Sequence, residues 1–367
     1  MDKRILGKTG LAVTIVGYGA IKLPNITQAE ADECLNLALD LGINYVDTAR
    51  SYRDSEEKIG KAISHRRDDF YIATKTGARD AKGVEEHLAI SLGNLRTDYI
   101  DLYQLHTVSD RERWEAVRAP GGAYEAALQA REAGKVGHIG ITIHRDLQVM
   151  REAIASGLFE TIMVCYNPLD SENVEAEILP AAEAADMGVI VMKALSGGQL
   201  CQPLQQREAG LGGPDAIVAG SLRYVLGNPN VSLVIPGMQA VHEVRENVTV
   251  GDEYTPLSAD EQQQLMRLIA RMKGDYRYDQ VCLRCGYCRP CTVGIDIPAV
   301  FKAGDMLAAY SENLHHVALE VWESLEVSPD ECIECEKCLE KCPAGINIPE
   351  QLKRVTAAFA EYQQGQD

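Results

Sequence analysis

The chain has 367 residues, of which 46% are apolar and 25% charged, and its formal net charge at pH 7 is −18. This length and composition are typical of a folded protein with one large domain and a smaller one. The negative charge argues against a nucleic-acid partner and against an anionic membrane surface, since both attract Lys and Arg. Apolar runs stay below the roughly 18 residues of a membrane span, and the N-terminus lacks a signal-peptide core. We therefore expect a cytoplasmic protein.

After a predicted hairpin over residues 3–15, apolar runs typical of β-strands alternate with segments of helical periodicity. Several of these helices are expected to end at a glycine, as at Gly42, Gly134 and Gly188. Eight strand–helix units in about 275 residues predict a closed (β/α)8 TIM barrel. An open doubly wound sheet is the alternative, but no GxGxxG motif follows the first strand. The predicted strands cover residues 16–19, 44–48, 70–75, 99–106, 138–143, 161–167, 188–195 and 231–237.

The C-terminal part differs in composition, because most of the 11 cysteines lie between Cys282 and Cys342. We therefore divide the chain into a barrel domain, residues 1–275, and a cysteine-rich domain, residues 276–367. Thiols stay reduced in the cytoplasm, so the clustered cysteines are expected to bind metal rather than to form disulfides.

Side chains suited to acid–base chemistry end three consecutive predicted strands. Asp47 and Tyr52 lie at and just after the end of one strand, and Lys75 and His106 end the next two. In a barrel such residues meet at one face. An ammonium lowers the pKa of a nearby Tyr from its usual value of about 10, a carboxylate keeps that ammonium charged, and a neutral His orients a carbonyl. A structural ion pair explains one or two of these residues, but the set predicts protonation of a carbonyl during hydride transfer.

At these residues the chain resembles the aldo-keto reductase family, over residues 1 to about 275. The resemblance implies that Tyr52 is the general acid and that Lys75 and Asp47 lower its pKa. It implies that His106 orients the carbonyl of a small aldehyde or ketone, which NAD(P)H bound across the barrel mouth reduces to an alcohol. The matching motifs are LGKTGL (6–11), DTARSY (47–52), ATK (73–75), LYQLH (102–106), GKVGHIGIT (134–142), IPG (235–237) and REN (245–247).

The same resemblance places cofactor contacts, some of which depart from the family. Ile143, Met163 and Met192 stand where the family has Asn, Gln and Tyr around the nicotinamide. Glu243 replaces a basic residue that often meets the 2′-phosphate, with Arg245 close by, so we expect NADH to serve at least as well as NADPH. The Gly-rich run after the seventh barrel strand suits a pyrophosphate. The implied contacts are Thr142, Lys193, Leu195, Gly197, Glu246 and Asn247.

Four other residues have simpler interpretations. His144 could face the pocket or cap the helix that follows the fifth barrel strand, and we prefer the cap. Cys165 and Cys201 are expected to be core or loop thiols. Trp114 is expected to line the substrate site, because barrel loops on that face often do.

The clustered cysteines form a duplicated unit. CLRCGYCRPC has x2-x2-x2 spacing and CIECEKCLEKCP has x2-x2-x3 spacing; CTVGIDIP and CPAGINIP follow, with Thr292 in the place of Pro343. Successive CxxC steps favour [4Fe–4S] clusters over zinc, whose sites usually combine two separated CxxC pairs. The predicted ligands are Cys282, Cys285, Cys288, Cys291, Cys332, Cys335, Cys338 and Cys342.

This part resembles a ferredoxin-type dicluster module, and its AVFKAGDMLAAY and LHHVALEVWESL segments predict a mostly helical domain. In two-cluster ferredoxins the fourth Cys of each run binds the other cluster. The resemblance therefore implies two [4Fe–4S] clusters. Cys342 would join the first three cysteines of the first motif, and Cys291 would join the first three of the second.

Three functions remain open from the sequence. The first is an NAD(P)H-dependent carbonyl reductase whose clusters are structural or sense redox state. The second is an electron-transfer oxidoreductase in which clusters exchange electrons with the barrel through a flavin or a partner such as ferredoxin. The third is a binding module without turnover, which the intact catalytic set disfavours. We favour the first.

Overall fold

The computed structural model describes residues 1–144, 146–169, 173–201, 215–272, 282, 286–309, 315–342 and 345–364. The chain forms two compact units. The first contains Met1–Leu195 and Val218–Gln263, and the second contains Ser196–Ile217 and Gln264–Asp367. The predicted boundary near residue 275 lies outside the described residues and stays a prediction. No helix within the described ranges is long and apolar enough to cross a membrane.

The strands confirm the predicted barrel. β1 and β2 pair antiparallel as the predicted hairpin, and β3 to β10 form one parallel sheet in chain order. Gly17 N–H donates to Val234 O (2.8 Å) and Gly19 N–H to Pro236 O (3.0 Å), which joins the first barrel strand to the last and closes the sheet. The strands are β1 (Lys3–Ile5), β2 (Ala12–Thr14), β3 (Tyr18–Gly19), β4 (Tyr45–Asp47), β5 (Tyr71–Thr76), β6 (Ile100–Leu105), β7 (Val136–Ile143), β8 (Thr161–Cys165), β9 (Gly188–Met192) and β10 (Leu233–Val234).

Helices follow the barrel strands, and polar side chains cap several of them. Thr27 and Glu30 form a reciprocal capping box at the start of the first helix. Gly42 and Gly134 adopt positive φ angles of 92° and 71° after helices, as predicted. The helices are α1 (Gln28–Asp40), α2 (Ser55–Ile63), α3 (Ala81–Leu95), α4 (Arg111–Arg118), α5 (Ala123–Glu132), α6 (Leu147–Ser156), α7 (Leu179–Ala184), α8 (Asp215–Gly227), α9 (Val241–Asp252), α10 (Ala259–Met272), α11 (Ile297–Ala309), α12 (His315–Glu323) and α13 (Ile348–Gln364).

Gly188 does not terminate a helix, and that prediction is wrong. Helix α7 ends at Ala184, Asp186 takes the left-handed turn with φ +50°, and Gly188 begins β9. A Cβ atom on Gly188 would lie 2.8 Å from the backbone carbon of Leu6. The glycine is therefore required by the close approach of the N-terminal hairpin.

Trp114 is buried in the helix layer around the barrel, so its predicted place in the substrate pocket is wrong. Its ring is buried on α4 and lies 6.3 Å from the ring of Phe159. The indole Nε1–H donates to Glu152 Oε2 on α6 at 2.9 Å. These contacts hold the indole within the outer helix layer.

The second unit is mostly helical, as predicted. Trp322 on α12 stacks on Phe359 of α13 with a centroid distance of 4.2 Å and an interplanar angle of 12°. Val355 on α13 faces Gly304 on α11, where a Cβ atom would lie 2.7 Å from its side chain. Small and aromatic side chains thus form a compact helical core.

Candidate active site and cluster site

A buried ion pair joins the ends of neighbouring strands β4 and β5. Lys75 donates to Asp47 Oδ1 and, at 2.6 Å, to the carbonyl oxygen of Thr48, while Gln104 donates to Asp47 Oδ2 at 3.2 Å. The side chains of Lys75 and Asp47 are 1% and 2% exposed. Burial lowers the pKa of Lys75 and raises that of Asp47, and in each case the partner's charge opposes the shift. Hydrogen bonds thus tie the pair to the Thr48 backbone on one side and to Gln104 on the other.

Tyr52 lies over this pair at the edge of the buried region. Lys75 Nζ is 5.0 Å from the centre of the Tyr52 ring. The ring of His106 meets the Tyr52 ring edge-on, with 6.0 Å between centroids. Tyr52 is half-buried, so the structure brings all four predicted catalytic residues together and leaves the tyrosine as the most accessible of them.

His106 is held as a neutral imidazole. Burial lowers its pKa well below the usual value, and the charges of Lys75, His144, Arg79 and Lys193 act in the same direction. Its Nδ1 lies 3.3 Å from the Ser51 hydroxyl. Its backbone carbonyl accepts from the Arg79 guanidinium at 2.6 Å. The imidazole is therefore available as a hydrogen-bonding group rather than a cation.

A second histidine, His144, lies beside His106. Its ring is buried, with its centroid 6.3 Å from that of His106. The cap of helix α6 is Asp146, whose side chain accepts from Val149 N at 2.9 Å. The expectation that His144 caps this helix is therefore wrong.

The strand-end residues predicted around the nicotinamide are all buried. Thr142 Oγ1 accepts from Thr107 N at 2.8 Å, so this hydroxyl already holds the loop after β6. Ile143, Met163 and Met192 are buried apolar side chains. None of these three side chains offers a strong hydrogen-bonding group to a carboxamide.

The remaining predicted cofactor residues lie after β9 and on α9. Lys193 follows β9 with a positive φ of 61°, and Leu195 is half-buried. On α9, Glu246 is half-buried and Asn247 is buried. Gly197, with φ +66°, belongs to the second unit.

Glu243 is tied into the start of α9. Its Oε2 accepts from Gln239 N at 2.7 Å, and its Oε1 lies 3.7 Å from Lys22 Nζ. Arg245, two residues on, is exposed. The position aligned with the family's phosphate-binding base therefore carries a negative charge that is only partly balanced.

A further buried carboxylate, not singled out from the sequence, lies between the barrel strands and the surrounding helices. Glu56, in the first turn of α2, accepts from Thr74 Oγ1 at 2.7 Å and from Ser91 Oγ at 2.6 Å. Arg50 Nη1 approaches it to 3.8 Å. Thr74 is next to Lys75 on β5, and Arg50 lies two residues before Tyr52 in the loop after β4. Glu56 therefore links the loop that carries Tyr52 to the strand that carries Lys75.

The second unit gathers cysteines around one cavity, which has about 410 Å³ of empty space including open solvent. Burial is the main cause that raises the pKa of the Cys338 thiol. The nearby Cys332, Cys335 and Cys291 raise it further. These four are the set predicted for the second cluster, and thiolates are the ligands that iron–sulfur clusters use. The cysteines that line the cavity are Cys288, Cys291, Cys332, Cys335 and Cys338.

The other predicted ligand set is only partly described. Cys282 and Cys342 are half-buried, and Cys285 lies outside the described residues. Among described side chains, no three of His, Cys, Asp or Glu converge closely enough to hold a single metal ion. This holds for the second set as well as the first, so both predicted clusters remain predictions.

Known proteins resemble both parts of the chain. The Aldo/keto reductase family profile matches residues 15–212, and that of a 4Fe-4S dicluster domain matches residues 279–346. The uncharacterized oxidoreductase YqkF of Bacillus subtilis (strain 168) is 30% identical over 286 residues, covering 68% of this chain and 90% of that protein. L-galactose dehydrogenase of Arabidopsis thaliana is 28% identical over 295 residues, covering 71% and 92%.

Solved structures agree with this match. The holo form of aldo-keto reductase AKR11C1 from Bacillus halodurans has a TM-score of 0.60 and 30% identity, covering 73% of this chain and 96% of that one. An aldo/keto reductase from Klebsiella pneumoniae in complex with NADP and acetate has a TM-score of 0.60 and 26% identity, with the same coverage. The barrel, its strand-end residues and these matches agree, and the chain belongs to the aldo/keto reductase family and carries a 4Fe-4S dicluster domain towards its C-terminus.

Proposed function

We propose that this protein is an NAD(P)H-dependent oxidoreductase that reduces a small aldehyde or ketone to an alcohol, with Tyr52 as the general acid. The observation that carries the proposal is the buried Lys75–Asp47 pair, with Lys75 Nζ 5.0 Å from the Tyr52 ring centre. The nicotinamide, when bound, supplies the hydride. Tyr52 gives its phenolic proton to the carbonyl oxygen as negative charge develops there.

Lys75 and Asp47 stabilise the phenolate that Tyr52 becomes when it gives up its proton. An ammonium near the ring stabilises the anion, and this attraction is strong because Lys75 is 1% exposed and little screened by water. Asp47 keeps the lysine charged despite burial. Removing either partner would leave an uncompensated buried charge.

His106 positions the substrate. A neutral imidazole can donate one hydrogen bond to the carbonyl oxygen without competing with Tyr52 as the acid. The depressed pKa of His106 supports this role. The backbone carbonyl of His106 accepts from Arg79, which supports a fixed position for the imidazole.

The direct test is Tyr52→Phe, assayed with small aldehydes and diketones in anaerobically purified protein. Loss of a general acid should lower kcat by about 10²- to 10⁴-fold, with little change in NAD(P)H binding measured by fluorescence. The matched control is Tyr45→Phe in the preceding strand, whose buried hydroxyl has no hydrogen-bond partner among the described residues. Equal activity of both variants would refute the role of Tyr52.

For the cofactor we propose NADH used at least as well as NADPH. The Klebsiella pneumoniae relative was solved with NADP, but here Glu243 places a carboxylate where the family often has a base. Such a charge repels a 2′-phosphate. Steady-state kcat/KM values for the two cofactors decide, and a strong preference for NADPH would contradict the proposal.

We further propose two [4Fe–4S] clusters in residues 276–367, with the crossed ligand sets described above. Purified protein should then contain about eight iron atoms per chain, four per cluster. Cys335→Ser should lose up to half of that iron. Thiolate ligation of this kind suits a reducing compartment, so we place the protein in the cytoplasm.

The alternative function is electron transfer between the clusters and the barrel site, through a flavin or a partner ferredoxin. The apolar residues Ile143, Met163 and Met192 favour it, because they weaken the expected nicotinamide grip. Unchanged carbonyl turnover in Cys335→Ser, with the barrel folded, would exclude an electron-transfer role in that reaction. A bound flavin spectrum would support the alternative.

A further inference from the structure

The two cysteine motifs differ at the residue after the fourth cysteine. The first repeat reads CTVGIDIP and the second CPAGINIP, so Thr292 stands where the second repeat has Pro343. Thr292 Oγ1 lies 3.3 Å from the sulfur of Cys335, 43 residues away in the other motif. Thr292 also lines the cavity that the cysteines surround. A proline side chain has no group that could make this contact.

We propose that Thr292 raises the reduction potential of the cluster bound by Cys291, Cys332, Cys335 and Cys338. The proposal rests on the two clusters of the proposed function. A ligating cysteine is a thiolate without a proton, so Thr292 must donate the hydrogen bond and Cys335 must accept it. A donor at a ligand sulfur favours the more negative, reduced cluster, which raises the potential.

The contact also makes the two clusters unequal. Since Pro343 has no hydroxyl, the corresponding donor is lacking in the other repeat. This difference by itself favours an electron on the cluster that Thr292 contacts. Cys335 is exposed, so this cluster is also held by a ligand at the protein surface.

The experiment is a redox titration of full-length, anaerobically purified protein, followed by EPR of the reduced clusters. Thr292→Val keeps the shape of the side chain and removes the hydroxyl, whereas Thr292→Ser keeps the donor. Thr292→Pro copies the other repeat and also lacks the donor. Iron content is measured in every sample.

In Thr292→Val and Thr292→Pro, we expect one of the two potentials to fall while the other stays constant. The potential should fall by up to about 59 mV, which corresponds to a tenfold change in the one-electron equilibrium constant. Thr292→Ser should retain the native value.

Unchanged potentials in either donor-free variant that keeps its full iron content would overturn the proposal. Loss of a cluster from both donor-free variants would also overturn it, because Thr292 would then serve assembly. A wild-type protein with iron for fewer than two clusters would instead refute the underlying cluster assignment.

Discussion

Glu56 offers a quantitative test of how a buried carboxylate supports the loop that carries Tyr52. Its carboxylate is fully buried and accepts two short hydrogen bonds, from Thr74 and from Ser91, with Arg50 nearby. Glu56→Ala removes the acceptor and leaves both hydroxyls and part of the Arg50 charge without a partner. Hydrogen bonds to a charged group contribute about 1.5–3 kcal/mol each, and breaking a buried pair costs about 3–5 kcal/mol. We expect the free energy of unfolding to fall by about 3–5 kcal/mol.

The neighbouring Glu57 is the matched control. It occupies the same helical turn, but it is 51% exposed and pairs with Lys61 only at 3.8 Å. Glu57→Ala should cost about 0.3–0.5 kcal/mol. Urea unfolding followed by Trp114 fluorescence, in a Trp322→Phe background, measures both variants in the barrel. A loss below about 1 kcal/mol for Glu56→Ala, or equal losses for the two, would refute the argument.

Two further predictions concern pH and the clusters. His106 has a folded pKa well below its usual value of about 6.5. Below pH 6.5 the unfolded chain therefore binds the proton first, and stability falls as the pH drops towards the folded pKa. His106→Gln should show a shallower loss between about pH 7 and 5, and parallel curves would contradict this. Removal of the clusters by oxidation should lower the melting temperature reported by Trp322, since bound metal stabilises the folded state; an unchanged value would contradict it.

Much of the barrel could be predicted because its strands stand out as apolar runs. All five residues of β9 are buried, since one face fills the barrel and the other meets the helices. The strand ends were predicted less well. The run over 188–195 looked continuous, but β9 stops at Met192 because Lys193 adopts a positive φ of 61° and leaves the extended conformation.

The grouping of the four candidate catalytic residues could be predicted because three lie at strand ends and Tyr52 lies in the loop after one, positions that depend only on local pattern and fold class. Glu56 could not. Glu56 and Glu57 look alike in the sequence, as acidic residues in the first turn of a helix. Only the hydroxyls of Thr74 and Ser91, 18 and 35 residues away, make one of them a buried acceptor.

The turn before β9 shows how a glycine can be interpreted for the wrong reason. The sequence pattern suggested that Gly188 ends a helix, which would require a left-handed backbone at that residue. The left-handed residue is instead Asp186, with φ +50°, and Lys8 N donates to its carbonyl oxygen at 2.8 Å. Gly188 faces Leu6 too closely for any side chain.

Two substitutions separate these explanations. Asp186→Gly should raise the free energy of unfolding by up to about 1 kcal/mol, because a non-glycine residue is strained in the left-handed conformation. Gly188→Ala should lower it by about 1–3 kcal/mol, because the new methyl group collides with the Leu6 backbone. Urea unfolding measures both variants. If Gly188 were the helix terminator, Asp186→Gly would bring no gain. Gly188→Ala would then lower the free energy of unfolding only by the strain of an alanine in the left-handed backbone conformation. Leu6→Val would not relieve that loss. In the packing explanation, the smaller side chain at residue 6 recovers part of the loss, because two of the three closest atoms belong to the Leu6 side chain.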